Sequence, residues 1–241
     1  MPAAHDGGLK MLGALANKVL NRFGIEAARA ATFGNFLRTR HIDLVVDVGG
    51  NLGQFAESVR ERDYTGRIHS FEPVGKVFAA LEEKAARDPQ WTVSRLALGA
   101  APGEVEINLY DNHTLNSLHA LDGDTAERLA VDPRVIGTET VPIATLDAVL
   151  ATDPATSILL KIDTQGHERA VLDGAQAVLA RTSALLLELP VLPLYEGLWS
   201  FNEALAYIDS LGFTPAQFRT VNTMVDDPAC AVEFDCLFRR K

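Results

Sequence analysis

The sequence predicts an α/β protein: a doubly wound, mostly parallel seven-stranded sheet with helices on both faces and a small β insertion. Three observations carry that prediction. Short apolar runs alternate with segments of helical spacing along most of the chain, as repeated strand–helix units require. Several of those runs are continuously apolar, the pattern of strands buried on both faces. The 241 residues, 47% of them hydrophobic, suffice for one large core and are marginal for two.

Residues 1–41 read as an N-terminal helical extension. Leu12, Leu15, Val19 and Leu20 fall near one helical face, while Asp6, Asn17 and Lys18 break up any signal-peptide core. Such a helix is expected to pack on the domain or against a second subunit, which leaves a homo-oligomer open. Residues 42–241 read as one domain. Its first strand is Leu44-Val45-Val46-Asp47-Val48, ending in a turn from Gly49 to Gly53. Leu52, Phe55 and Val59 then share a helical face. Arg67 to Glu72 is the second strand, stopped by Pro73. Val74, Val77, Phe78, Leu81 and Ala85 follow at helical spacing, and Trp91 to Leu98 reads as a third strand.

An insertion at about 100–143 interrupts the alternation. Glu104 to Tyr110 and Thr138 to Ile143 alternate apolar and polar residues, and between them lies the polar stretch DNHTLNSLHALDGD. Loops of this length often carry function. The alternation then resumes with a strand at Ser157 to Asp163, a helix through Val171, Leu172, Ala175, Val178 and Leu179, and a strand at Ala184 to Leu189. A helix from Asn202 to Leu211 ends at Gly212, and Phe234 to Phe238 is the last strand.

Composition narrows the function. A net charge of −10 repels polyanions, so nucleic acid is not the expected partner, and the basic tip Arg239, Arg240, Lys241 is too small to reverse that. No run of 18 apolar residues exists to span a membrane. Cys230 and Cys236 match no zinc or redox spacing, which points to strand packing, a reducing compartment and a cytoplasmic protein.

Ligands of open α/β sheets bind beyond the carboxyl ends of the strands. That places Asp47, Glu72, Leu96, Ala97, Leu98, Asp163 and Glu188 around one cleft. The turn after Asp47 selects the ligand. A dinucleotide fingerprint G-x-G-x-x-G starting at Gly49 needs glycine where Asn51 and Gln54 stand, and no Gly-Lys-Ser/Thr follows for a phosphate loop. What remains is D-x-G-x-N-x-G, Asp47 to Gly53. This resembles motif I of class I methyltransferases, whose cofactor S-adenosylmethionine (SAM) has a sulfonium and no phosphate. Glu72, about 25 residues on, stands where an acid commonly grips ribose hydroxyls.

LLKIDTQGHE at 159–168, ALLLELP at 184–190, PLYEG at 193–197 and EFDCLF at 233–238 resemble the FkbM family of SAM-dependent methyltransferases over roughly residues 42 to 240. Gly50 stands where that family commonly has alanine. The form K-I-D-x-Q-G, with Gln165, looks like the branch associated with sugar and glycan O-methylation. The resemblance implies SAM as cofactor, S-adenosylhomocysteine as product, and a cofactor site at Asp47, Gly49, Gly50, Asn51, Gly53, Gln54, Phe55, Glu72, Pro73, Ala97, Leu98, Ser117 and Asp163. It also implies Asn116 beside Ser117 as cleft-lining.

Removing an alcohol proton during methyl transfer calls for a base. Asp163 is the first candidate, His167 the second, and Glu188 binds the acceptor or orients the base. His113 and His119 lie in the insertion, and Tyr195 and Trp199 offer an apolar wall for a flat or sugar-like acceptor. Asp163, Glu188 and His167 are of metal-ligating types, but no ligand spacing demands a metal and none is expected. The expected function is O-methylation of a sugar, glycan or small metabolite. An NAD-type oxidoreductase, a non-catalytic SAM-binding module and N-methylation stay open.

Overall fold

The computed structural model describes residues 33–241; the amphipathic segment around Leu12 to Leu20 lies outside them. The chain divides into two compact units, Met1–Phe36 and Leu37–Lys241. In chain order the described elements begin with α1 (Phe33–Thr39), β1 (Leu44–Val48), α2 (Gln54–Arg60), β2 (Arg67–Phe71), α3 (Gly75–Ala85) and β3 (Trp91–Ser94). The insertion contributes β4 (Ala97–Leu98), β5 (Gly103–Leu109), α4 (Gly123–Arg128) and β6 (Gly137–Ala144). The chain closes with α5 (Leu146–Val149), β7 (Ile158–Ile162), α6 (Glu168–Asp173), α7 (Gln176–Leu179), β8 (Thr182–Pro190), α8 (Phe201–Ser210), β9 (Phe213–Thr223) and β10 (Ala231–Arg240).

Seven strands form one sheet in the order β3-β2-β1-β7-β8-β10-β9. The first five pair in parallel, and β10 runs antiparallel to both β8 and β9. β1 and β7 occupy the middle and every residue of both is buried. That double burial is why LVVDV and ILLKI are apolar without alternation. Residues from β1, β7 and β8 join Leu172, Val178, Ile208 and Phe213 in the main core.

Four elements differ from the sequence expectation. Trp91 to Leu98 is not one strand: β3 pairs with β2, whereas β4 leaves the sheet and joins β6 and β5 in a separate three-stranded sheet. The helix expected through 171–179 is broken into α6 and α7 at Gly174, where a Cβ would lie 2.0 Å from the Gly99 carbonyl oxygen. Strand β9 was not anticipated, because it carries Pro215 and is mostly exposed. Among the described residues it pairs only with β10, and proline is tolerated on such an edge. The last strand runs from Ala231 rather than Phe234. Helix α8 starts at Phe201, one residue before the expected Asn202, behind a capping box. The Ser200 side chain accepts from the Glu203 N–H, and Glu203 accepts from the Ser200 N–H.

Candidate active site

A cavity of about 910 Å³ opens beyond the carboxyl ends of β1, β2, β7 and β8. Its floor is the turn after β1. Gly49 and Gly53 have φ of +76° and +85°, and Asn51 sits at +46°. Asparagine tolerates this left-handed region better than most side chains, and its Oδ1 accepts from the Leu52 N–H at 2.8 Å. The N–H groups of Gly49 and Gly50 both donate to the Phe71 carbonyl, at 3.0 and 2.9 Å. A Cβ on Gly49 would lie 1.9 Å from the Asp163 carbonyl oxygen, so the ends of β1 and β7 meet backbone to backbone.

Glu72 closes the floor from β2. Its Oε2 accepts from the Asn51 N–H and its Oε1 from the Val74 N–H, each at 3.0 Å. The residue is 7% exposed. Burial pushes its carboxyl up to about 7, against the lowering effect of those two N–H donors and of Lys161.

Asp47 and Lys161 support the floor from beneath. Asp47 is fully buried; its Oδ2 accepts from the Ser70 hydroxyl at 2.8 Å, and that hydroxyl accepts from the Trp91 indole N–H at 3.0 Å. Lys161 lies 3.0 Å from Asp47 Oδ1 as an ion pair and donates to the Gly49 carbonyl at 2.8 Å. Burial alone would lower the lysine's pKa, but the carboxylates of Asp47 and Asp163 outweigh it and hold the group above its ordinary value. A Cβ on Gly50 would come 3.0 Å from Ser70 Cβ, so alanine fits there only if this network gives way slightly.

The DTQGHE segment forms the far wall. Gln165 and Gly166 take φ of +53° and +106°. Glu168, 3% exposed, holds this turn by accepting from the Thr164 N–H and hydroxyl at 3.0 Å and from the Gly166 N–H at 3.1 Å. The Gln165 amide nitrogen donates to Asp163 Oδ1 at 2.9 Å and to Glu188 Oε1 at 3.1 Å. Its Oε1 lies 2.9 Å from the Tyr195 hydroxyl, which also stands 3.0 Å from the Leu115 carbonyl. The insertion reaches the same turn: the Ser117 hydroxyl donates to the Gln165 carbonyl at 2.6 Å.

Acids dominate the acceptor end. Glu188 and Glu233 share a hydrogen bond, and burial with the neighbouring charges of Asp163 and Asp235 raises the Glu188 pKa far above the carboxylate range. Asp235 is paired with Arg219 across β9 and β10. His167 at the start of α6 lies near His119, ring centroids 5.8 Å apart. Burial, then the neighbouring ring, lowers its pKa, so it is neutral at physiological pH.

Of the residues expected at the cofactor, Gly49, Gly50, Asn51, Gln54, Phe55, Glu72, Pro73, Ala97, Leu98, Ser117 and Asp163 line this cavity. So do the base candidates His167 and Glu188, together with His113 and Asn116. Asp47 and Gly53 do not: Asp47 is sealed beneath the turn, and Gly53 backs onto the Trp91 ring, 2.6 Å from where a Cβ would stand. His119, Trp199 and Tyr195 are also off the cavity: Trp199 is packed in the main core, and the buried Tyr195 only bonds Gln165 of the lining through its hydroxyl. Cys236 is buried as expected of strand packing, whereas Cys230 is exposed in the β9–β10 connection. Sequence reasoning passed over Lys161 and Gln165 as site residues. The signal was present in K-I-D-T-Q-G: a lysine amid a buried strand needs partners, and a glutamine before glycine can turn left-handed. Among the described residues no group of three or more His, Cys, Asp or Glu is arranged to hold a metal.

A family model described as the methyltransferase FkbM domain matches residues 47–215. No curated protein matches the chain. Among solved structures, the chain is similar to magnesium protoporphyrin IX methyltransferase of Synechocystis PCC 6803 with bound SAM, at 11% identity and TM-score 0.48, over 86% of this chain and 76% of that one. It is similar to TehB of Haemophilus influenzae at 12% identity and TM-score 0.47, over 88% of this chain and 63% of that one. The 1,6-didemethyltoxoflavin-N1-methyltransferase of Burkholderia thailandensis matches all of this chain and 92% of its own, at 11% identity and TM-score 0.47.

Proposed function

Because the chain belongs to the FkbM methyltransferase family, we propose that it transfers a methyl group from SAM to a hydroxyl of a sugar, glycan or small metabolite. One observation carries the choice of cofactor. The N–H groups of Gly49 and Gly50, which a dinucleotide's pyrophosphate would need, are already donated to Phe71. The cavity is also rich in carboxyls, with Glu72, Asp163, Glu188, Glu233 and Asp235 in its lining. That lining favours a sulfonium and opposes a pyrophosphate. The residues fit an adenosyl cofactor: each Glu72 oxygen accepts one backbone N–H and retains acceptor capacity for ribose hydroxyls.

When bound, SAM supplies an electrophilic methyl group. The chain's own contribution is alignment and proton removal. Glu72 holds the nucleoside end, and the glycine turn after β1 lets it lie close to the backbone. Asp163 accepts the hydroxyl proton of the acceptor. Glu188 and His167 orient the acceptor beside it, and the same carboxyls oppose phosphorylated acceptors. A cytoplasmic location belongs to this proposal, supported by two unpaired thiols.

Calorimetry with SAM and NAD tests the cofactor: SAM binds and NAD does not, and the reverse result overturns the proposal. Label transfer from methyl-labelled SAM to a panel of hydroxylated acceptors tests the reaction. Asp163→Asn is expected to keep SAM affinity and to lose turnover by about 100-fold or more. A variant with full turnover removes Asp163 from its role.

A further inference from the structure

We propose that Gln165 is a positioning residue that sorts the protons of the acid cluster, holding Asp163 charged and placing the shared proton between Glu188 and Glu233. The proposal deepens the methyl-transfer reading and rests on it for Asp163 as proton acceptor.

An amide nitrogen carries two hydrogens and accepts nothing. Here one hydrogen faces Asp163 Oδ1 and the other Glu188 Oε1. Both oxygens are therefore acceptors, and neither carries a proton while these bonds stand. The amide's orientation follows from its partners: turned over, its oxygen would face two carboxyl oxygens and lose the hydrogen bond that the Tyr195 hydroxyl donates to it. The backbone of Gln165 is fixed as well, since its carbonyl accepts from Ser117 and the adjoining turn is held by Glu168. A proton on Glu188 is left with Oε2, and Glu188 shares a hydrogen bond with Glu233. Asp163 instead faces the Lys161 ammonium, 3.5 Å from Oδ2. Asp235, itself paired with Arg219, and Glu168 behind Asp163 also face the cluster. Glutamine is thus the side chain that serves this place. Glutamate would bring a further negative charge against two carboxyls, and an apolar residue would leave Asp163 Oδ1 and Glu188 Oε1 without this donor.

The test uses the full chain without cofactor at neutral pH, reading protonated carboxyls by infrared difference spectra in light and heavy water. Signals from Glu72 and Glu168 are common to all variants and cancel. In the wild type, Glu188→Gln removes a protonated-carboxyl band and Asp163→Asn does not. Gln165→Met, nearly isosteric but without donors, gains a second band that Asp163→Asn removes in that background. An unchanged spectrum in Gln165→Met overturns the proposal, as does a wild-type band lost with Asp163→Asn. If Gln165→Met fails to fold by circular dichroism, Tyr195→Phe frees the amide and is expected to give the same second band more weakly; its absence is equally decisive. With any acceptor that takes label from SAM, Gln165→Met lowers kcat by about tenfold or more while KM for SAM stays within about twofold. Equal losses in both point to a structural role and overturn the proposal. Failure of the wild type to bind SAM would instead strike the methyltransferase reading and leave the carboxyl result standing.

Discussion

Glu72 is held at the cavity floor by two backbone N–H groups, yet burial lifts its carboxyl to about 7. Only the ionised form offers all its lone pairs to ribose hydroxyls and a charge to the sulfonium. Protons therefore compete with SAM below pH 7, and the competition vanishes above it. SAM affinity is expected to fall by up to about tenfold per pH unit below that point. Calorimetry at pH 6.5 in buffers of different ionisation enthalpy should register proton release on binding. Glu72→Gln should abolish that release and weaken binding by about 10- to 100-fold. Release that persists in the variant assigns the proton elsewhere. At this scale the sequence was legible in where the acid at position 72 stands, at the strand end that lines the cavity. It was opaque where a side chain serves the backbone. Asn51 reads as a missing glycine, but it occupies a left-handed position and binds its neighbour's N–H. Gln165 reads as a family variant, and only folding brings Asp163, Glu188 and Tyr195 around its amide.

Strands β1 and β7 are joined by more than their ladder. Lys161 reaches from β7 to Asp47 and to the carbonyl of Gly49 on the β1 side. Removing one member of a buried pair strands the other's charge, at a cost of about 3–5 kcal/mol. Lys161→Met is expected to lose that much stability in urea unfolding at constant m-value, and Asp47→Asn in the same chain should restore part of it. Additive losses would mean the two side chains do not act as a pair. The continuously apolar runs made β1 and β7 readable, because burial on both faces leaves a direct mark on composition. The exit of the chain from the main sheet between β3 and β4 leaves no such mark. Leu96, Ala97 and Leu98 are apolar in either sheet, and only pairing partners separate them. The break at Gly174 is similar: helical spacing continues across it, and the close approach of Gly99 belongs to a segment 75 positions earlier in the chain.

For the whole molecule, ligand and stability are linked. A ligand that binds only the folded chain adds about 2.7 kcal/mol at 100 times its Kd. In a domain of this size that corresponds to about 5–10 °C in Tm. Thermal unfolding with SAM should show such a rise and NAD none; equal shifts with both would remove the discrimination attributed to the turn after β1. Alternation of elements was enough to read an α/β sheet, but strand order is set by long-range pairing that no local pattern encodes. The edge strand β9 was invisible because exposure and Pro215 erase the usual strand signature. The insertion is stitched to the segment before α8 by the Leu121–Tyr195 bridge and by backbone bonds from Asp122 to Leu194 and from Glu196 to Ala120. An engineer who exchanges residues 110–122 between relatives to alter acceptor choice must therefore carry 194–196 along. Otherwise the graft loses the seam that aligns Tyr195 with the acid cluster, and a change meant for selectivity arrives as a change in rate.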